Sequence, residues 1–320
     1  MFSSELISVQ TLEDRIQKIL PAMERCAHHL RELQHGDLQV SSKSNPRDLV
    51  TRADRESEEI LIDAIQTCFP EDSILAEESG ATAARSSSDR DINSSSTKPD
   101  SKKGSHQPEN QIEVRQQVKV DQNASTAAEL QWVLDPLDGT VNYTHGSPQY
   151  AVSAGIMKGD ECVAGAILHP VSGDLYTAIQ GNGAFKNGKP IRVSTRNPLS
   201  NCLVVTGFPY SRQEFLETLL TGIKLTLQNA RGLRRTGSCC VDMTYLAEGI
   251  FDAHYEFFLK PWDTAAATCI VREAGGSVTN LAGKKYVPGM TLMLASNGKI
   301  QKELLEVLKP LQTLMPEHYL

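Results

Sequence analysis

The sequence predicts a layered α+β fold. Two segments near the start carry apolar residues at helical spacing. The middle of the chain holds short apolar runs separated by turn residues, and the remainder mixes helical patterns with short strand-like runs. Elements in that order bury their apolar faces by packing as layers. The chain has 320 residues, 40% hydrophobic and 22% charged, an ordinary composition for a globular protein. That length admits one large domain or two smaller ones.

Leu20, Met23, Ala27, Leu30 and Leu33 recur at helical spacing, with Gly36 beyond them as a stop signal. Pro21 is expected at or near the start of this helix, because inside a helix it removes a hydrogen bond and clashes with the preceding turn. A second helix is predicted over Ala53–Cys68, where Ile60, Leu61, Ala64, Ile65 and Cys68 share one face and Pro70 follows. Ser73–Ala76 is a short apolar run, read as a strand, and it ends in Glu77 and Glu78.

Gly80 to Glu129 contain no Leu, Met, Cys or aromatic residue. Such a segment cannot bury enough apolar surface to offset its ordering entropy. Residues 79–130 are therefore read as a mobile low-complexity insertion, with a marginal hairpin at Ile112, Val114, Val118 and Val120. A regulatory or partner-binding loop is the alternative to a tolerated insertion.

Trp132–Leu134 reads as a short buried strand that stops at Asp135. Runs at Tyr150–Met157, Cys162–Leu168 and Asp174–Ile179 follow, separated by Lys158-Gly159-Asp160 and Ser172-Gly173. These separators are turn chemistry, so an antiparallel meander is expected. A new unit starts near Leu203–Thr206. Helices are predicted at Arg212–Gln228, Ser238–Glu248, Thr264–Ala274 and Lys299–Leu308, with strands at Phe251–Glu256 and Leu292–Ala295.

Lys and Arg total 32 against 39 Asp and Glu, a net charge of −7. That argues against a protein built to grip a polyphosphate backbone, so no nucleic acid partner is expected. No run of apolar residues is long enough for a membrane span. Met1 to Asp14 has neither a basic nor an apolar leader region, so no secretory signal is expected. The seven cysteines form no C-x-x-C pair and are odd in number, which favours reduced thiols in a cytoplasmic enzyme.

The richest stretch is Trp132-Val133-Leu134-Asp135-Pro136-Leu137-Asp138-Gly139-Thr140. Two carboxylates follow a hydrophobic strand. Gly139-Thr140 permits a tight turn into a helix whose first N–H groups bind phosphate oxygens. Paired hard carboxylates suit Mg²⁺. Glu77-Glu78 and Trp262-Asp263 add carboxylates at the ends of distant elements, as a two-metal site requires. An Asx-rich surface turn at 135–140 and a helix N-cap at Asp263 are the structural alternatives.

Together these segments resemble the inositol monophosphatase family, within the lithium-sensitive, magnesium-dependent phosphomonoesterases. Ala76-Glu77-Glu78-Ser79 is similar to the family's G-E-E-S. Trp132 through Thr140, continued by Val141-Asn142-Tyr143-Thr144-His145-Gly146, is similar to D-P-I-D-G-T-x-N-F-x-x-G. Pro261-Trp262-Asp263-Thr264-Ala265-Ala266 with Glu273-Ala274-Gly275-Gly276 resembles W-D-x-A-A…E-A-G-G. Lys43 to Thr51 with Asp54, and Gly183 to Gly188, add weaker support. Ala76 in place of Gly, and Cys239-Cys240 where small residues are common, are departures.

The resemblance implies an α-β-α-β-α sandwich of the inositol monophosphatase and fructose-bisphosphatase type. Residues 1–192 would form an N-terminal portion and 193–320 a C-terminal portion completing the site. It implies that Glu77, Asp135 and the Leu137 carbonyl hold one Mg²⁺. Asp135, Asp138 and Asp263 would hold a second, and a weaker third would lie near Glu77. Gly139 and Thr140 would cradle phosphate. Thr140, backed by Asp54, would orient and deprotonate the attacking water. Lys43 would lie near the site, Glu256 would meet a substrate hydroxyl, and Gly237-Ser238-Cys239 would approach the substrate's other face.

The expected activity is hydrolysis of myo-inositol 1-phosphate or a similar polyol or sugar phosphate. The alternatives are fructose 1,6-bisphosphate, phosphoadenosine phosphate or histidinol phosphate, or a non-catalytic role in RNA metabolism. Lithium sensitivity and a homodimer are further implications. A nucleophilic or redox-sensitive Cys239-Cys240 pair is a competing reading that activated water makes unnecessary.

Overall fold

The computed structural model describes residues 7–43, 46–82 and 130–315. The chain opens with α1 (Val9–Leu33), a small hairpin of β1 (Ser41–Ser42) and β2 (Leu49–Val50), and α2 (Arg52–Cys68). Next come β3 (Ser73–Ala76), β4 (Gly80–Thr82), β5 (Leu130–Asp138), the short α3 (Thr140–Thr144), β6 (Ala151–Lys158), β7 (Glu161–Leu168), β8 (Leu175–Ile179), β9 (Gly183–Lys186) and β10 (Lys189–Pro190). These strands form an eight-stranded sheet in the order β10-β9-β8-β7-β6-β5-β3-β4. Its β5–β10 run is the expected antiparallel meander, and only β3 and β5 pair in parallel.

The second half holds β11 (Leu203–Thr206), α4 (Leu216–Asn229), β12 (Gly232–Arg234), α5 (Cys239–Ala247), β13 (Ala253–Phe257), α6 (Pro261–Glu273), β14 (Ser277–Thr279), β15 (Leu292–Ser296), α7 (Gln301–Leu308) and α8 (Leu311–Leu314). Its five-stranded sheet runs β12-β11-β13-β15-β14.

Three apolar clusters define the layers. Met23 and Leu30 of α1 and Leu61 of α2 pack on Trp132, Leu134 and Val152 of the first sheet. The other face of that sheet meets Val241 and Met243 of α5 and Ala265, Ala266 and Ile270 of α6, which also meet Val205, Met293 and Ala295 of the second sheet. Leu219 of α4, Leu304 of α7 and Leu311 of α8 cover that sheet's outer face. The result is the α-β-α-β-α sandwich that the family resemblance implies. Among the described residues, no helix is long and apolar enough to cross a membrane.

Three expectations need correction. Pro21 lies inside α1 rather than at its start. The helix continues because Leu12, Ile16 and Ile19 before it and Met23, Cys26 and Leu30 after it are buried on one face, while Pro21 itself faces solvent, where water can bond the orphaned carbonyl. Gly80–Thr82 is not part of an insertion, because it pairs antiparallel with Ile74–Ala76. Residues 83–129, including Ile112, Val114, Val118 and Val120, lie outside the described residues.

Finally, the strand does not stop at Asp135. It runs to Asp138 through a register shift, with Asp135 opposite Ser153 and Asp138 opposite Ala151. Three steps on β5 match two on β6, so this is a β-bulge, and Pro136, which has no N–H to give to a ladder, sits within it.

The position of α6 rests on small residues. Thr264 through Val271 are all buried, because α6 has a sheet on each side. A Cβ added at Gly155 would lie 2.7 Å from the Ala266 nitrogen, and one at Gly165 would lie 2.6 Å from the Ala266 Cα. Helix and sheet touch backbone to backbone there. Gly165→Ala should therefore destabilise the protein by about 2 kcal/mol through overpacking. Thermal melting checks this, and an unchanged melting temperature would contradict it.

Candidate active site

Side chains alternate across a regular strand, so residues three apart face opposite sides. The bulge in β5 reverses that parity. Val133 faces the α5–α6 layer, while Leu134 and Leu137 face α1 and α2. Asp135 and Asp138 consequently both open onto one cavity of about 340 Å³. Glu77 reaches it from the end of β3, and Asp263 from the first turn of α6.

Each of the three aspartates is anchored through one oxygen. The Leu137 N–H donates to Asp135 Oδ1 (3.0 Å). Asp138 Oδ2 accepts from the Cys240 N–H (2.7 Å) and from the Ser238 hydroxyl. Asp263 Oδ2 accepts from the Lys260 N–H (2.7 Å). Asp263 is thus not the N-cap itself but the third helical residue, looped back to the capping position.

Neutral donors do not cancel four charges. Burial, and then the charges of Glu77, Asp138 and Asp263, push the Asp135 carboxyl well above the usual carboxylate range. Burial, and then Asp138 and Glu77, do the same to Asp263. Burial raises Asp138 to about 6 against the pull of its Ser238 and Cys240 donors. It also raises Glu77, against the opposing pull of Lys43.

The Lys43 ammonium contacts Glu77 Oε1 (2.6 Å) and Glu78 Oε1. Burial would lower its pKa, but the two glutamates outweigh that and raise it. Burial pushes Glu78 to about 7. The donor set facing the cavity is all oxygen: four carboxylates with mutually raised pKa values, and the Leu137 carbonyl beside them. That is hard-donor chemistry in need of more positive charge than one ammonium supplies, and it fits Mg²⁺.

The phosphate-cradle residues follow directly. Gly139 has φ +93°, a left-handed conformation that disfavours side chains. A Cβ there would also lie 3.0 Å from the Gln149 carbonyl and 3.2 Å from Ser238 Cβ. Thr140 then starts α3, so its N–H has no partner one turn back. The Thr140 hydroxyl points to Asp54 Oδ1 (3.0 Å) and the Leu137 carbonyl (3.2 Å). Asp54 is held by the Thr51 N–H (2.8 Å) and hydroxyl (2.6 Å) at the start of α2. Burial raises the Asp54 carboxyl, against the pull of Thr51 and Thr140.

Asp54 is the one predicted site residue that does not line the cavity; it stands behind Thr140. Lys43, Gly237, Ser238, Cys239 and Glu256 all do. Ser238 turns its hydroxyl to Asp138, which makes it a positioning residue.

The pattern of the inositol monophosphatase family matches residues 12–313, nearly the whole chain. The chain belongs to the inositol monophosphatase family. It is 34% identical over 261 residues to a putative Nus factor SuhB of Neisseria meningitidis, covering 82% of this chain and 84% of that one. It is 32% identical to the chloroplastic phosphatase IMPL1 of Arabidopsis thaliana, covering 82% of this chain and 62% of the plant protein. Among solved structures, an inositol monophosphatase from Anabaena superposes with a TM-score of 0.73 at 28% identity, covering 94% of this chain and 97% of that one.

Several residues of this inositol monophosphatase family member hold the site together in roles that the sequence reading did not assign. Glu58 accepts from the Glu78 and Ser79 N–H groups, each at 2.8 Å, and so sets the turn that carries Glu77. Thr51 holds Asp54, and its T-x-x-D spacing is a capping-box signal that was available in the sequence. Arg235 and Lys260 line the cavity as further cations. Asn142 donates to the Gln149 and Thr236 carbonyls (2.7 and 3.0 Å), fastening α3 to the segment that leads into Gly237.

Cys239 and Cys240 are buried, and burial pushes both thiols well above their usual range. A reactive thiolate needs the opposite shift. All seven cysteines are free thiols in the structure.

Proposed function

We propose that this chain is a Mg²⁺-dependent phosphomonoesterase acting on myo-inositol 1-phosphate or a similar polyol or sugar phosphate. The observation that carries the reading is the convergence of Glu77, Asp135, Asp138 and Asp263 from three separate segments on one cavity beside the Gly139–Thr140 turn. Glu77, Asp135 and the Leu137 carbonyl would hold one ion. Asp135, Asp138 and Asp263 would hold a second, with a weaker third near Glu77. Bound Mg²⁺ supplies charge neutralisation of the phosphoryl oxygens, acidification of water and stabilisation of the departing alkoxide.

The protein's own groups do the rest. Gly139 and Thr140 N–H groups point phosphoryl oxygens into place. The Thr140 hydroxyl gives its proton toward Asp54, which leaves its lone pairs to accept from the attacking water. A water proton can then pass through Thr140 to Asp54, whose raised pKa suits it to receive one. Lys43, Arg235 and Lys260 give the cavity a cationic share that favours an anion. Glu256 offers a carboxylate to a polyol hydroxyl. The transition state of phosphoryl transfer is loose, so positioning and electrostatics suffice without a protein nucleophile.

A panel of inositol 1-phosphate, fructose 1,6-bisphosphate, phosphoadenosine phosphate and histidinol phosphate, read by released phosphate with and without Mg²⁺, tests the reading. The expected result is Mg²⁺-dependent release, fastest from inositol phosphate. Release from another member alone moves the substrate assignment, and none from any removes the activity. The likeness to a chain named as a putative Nus factor supports a second reading, a non-catalytic interaction role. Retention of the cellular role by a variant that cannot hydrolyse any panel member would favour it.

A further inference from the structure

One cluster on the cavity wall is not made of hard oxygen donors alone. Cys239 starts α5, and His254 and Glu256 stand two residues apart on β13, so both point to the α5 side of the sheet. One ligand atom from each, a thiol sulfur, an imidazole nitrogen and a carboxylate oxygen, lies within 4.8 Å of the other two. His254 is fully buried, its Nε2 is 3.0 Å from Glu256 Oε2, and its Nδ1 has no hydrogen-bond partner. A buried ring nitrogen without a partner is costly, and such exceptions call for an explanation.

Glu256 lies over Gly207, where an added Cβ would come 1.9 Å from its Oε1, so the carboxylate occupies space that a residue without a side chain leaves open. Cys239 and Glu256 both line the cavity, which leaves its open side for a further ligand.

We propose that Cys239, His254 and Glu256 form a site for a borderline-soft divalent ion, Zn²⁺, separate from the all-oxygen Mg²⁺ donors. Sulfur, nitrogen and carboxylate together are a zinc donor set, and three protein ligands with one open position are the pattern of an accessible zinc site. Mg²⁺, which demands oxygen, has no reason to enter it. Binding exchanges the Cys239 thiol proton for the metal and releases that proton to solvent. Where Glu256 also receives a substrate hydroxyl, which rests on the function proposed above, Zn²⁺ withdraws that acceptor. It then raises the apparent KM by about tenfold, the loss of one hydrogen bond to a charged group.

Co²⁺ titrated into the full-length protein at saturating Mg²⁺ provides the test. The expected result is a thiolate-to-cobalt charge-transfer band that Zn²⁺ abolishes, that Cys239→Ala lacks, and that Cys240→Ala and Asp138→Asn retain. Zinc-edge X-ray absorption of the unmodified protein gives a second reading independent of variants, with one sulfur in the zinc shell expected. No band, a band that survives Cys239→Ala in a cooperatively melting variant, or a sulfur-free shell overturns the site. A band with unchanged KM overturns the block of substrate while the site stands, and neither readout depends on whether the proposed hydrolysis is correct.

Discussion

Asp138→Asn should lower Mg²⁺-dependent phosphate release by about 10²-fold or more, some 3 kcal/mol of barrier, and at the same time raise the melting temperature of the metal-free protein. The two signs come from one geometry. Asp138 is buried among Asp135, Asp263 and Glu77, and its carboxyl is driven up to about 6. Removing its charge relieves repulsion in the metal-free state. The amide oxygen can still accept from the Cys240 N–H and the Ser238 hydroxyl, so the local fold keeps its anchors. With metal, the same change takes a negative ligand from the proposed second ion. Steady-state kinetics across Mg²⁺ concentrations and melting curves in a chelator check both halves. Near-normal turnover at saturating Mg²⁺, or a lower metal-free melting temperature, would refute the assignment.

The metal-free protein should lose stability as pH rises from about 4, the unperturbed carboxyl range, through about 6, where Asp138 titrates, and on past about 7, where Glu78 does. Asp135 and Asp263 extend the window upward, being held well above the usual range by burial and then by neighbouring carboxylates. Each of these groups binds its proton more tightly folded than unfolded. The folded state therefore holds more protons across this window, and stability falls as pH rises. Below the unfolded pKa their contribution is fully present.

Mg²⁺ should reverse the trend at neutral pH. At a concentration 1,000-fold above its Kd it adds roughly 4 kcal/mol, on the order of 10 °C in melting temperature for a chain of this size. Protons displace it at acid pH, so the Mg²⁺-induced shift should grow from pH 5 to pH 8, as melting curves over that range would show. A shift independent of pH would mean that the carboxylate cluster is not where the ion binds.

Much of this was legible in the sequence because it sits at element boundaries. Ser73–Ala76 is a strand with the predicted bounds, and Glu77 and Asp263 mark element ends whose carboxylates were visible as such. What was hidden depended on partners far away in the chain. The reversal of parity at Pro136 is visible only against Ser153 and Ala151 on β6. Glu58 looks like any helical glutamate until the Glu78 and Ser79 N–H groups arrive from β3. His254 and Gly207 gain meaning only when Glu256 lies between them. Strands as short as Lys189–Pro190, both exposed, carry no alternation to read. Pro21 misled because a local breaker rule was overridden by burial on the opposite face of α1.

The bulge in β5 works as a reading frame along the strand. Straighten it at the same three-residue spacing, and plain alternation returns: one of the two carboxylates passes through the sheet into the apolar layer of Leu134, Leu137 and Tyr143. A motif that looks almost intact on paper would then be split across two sides of the molecule.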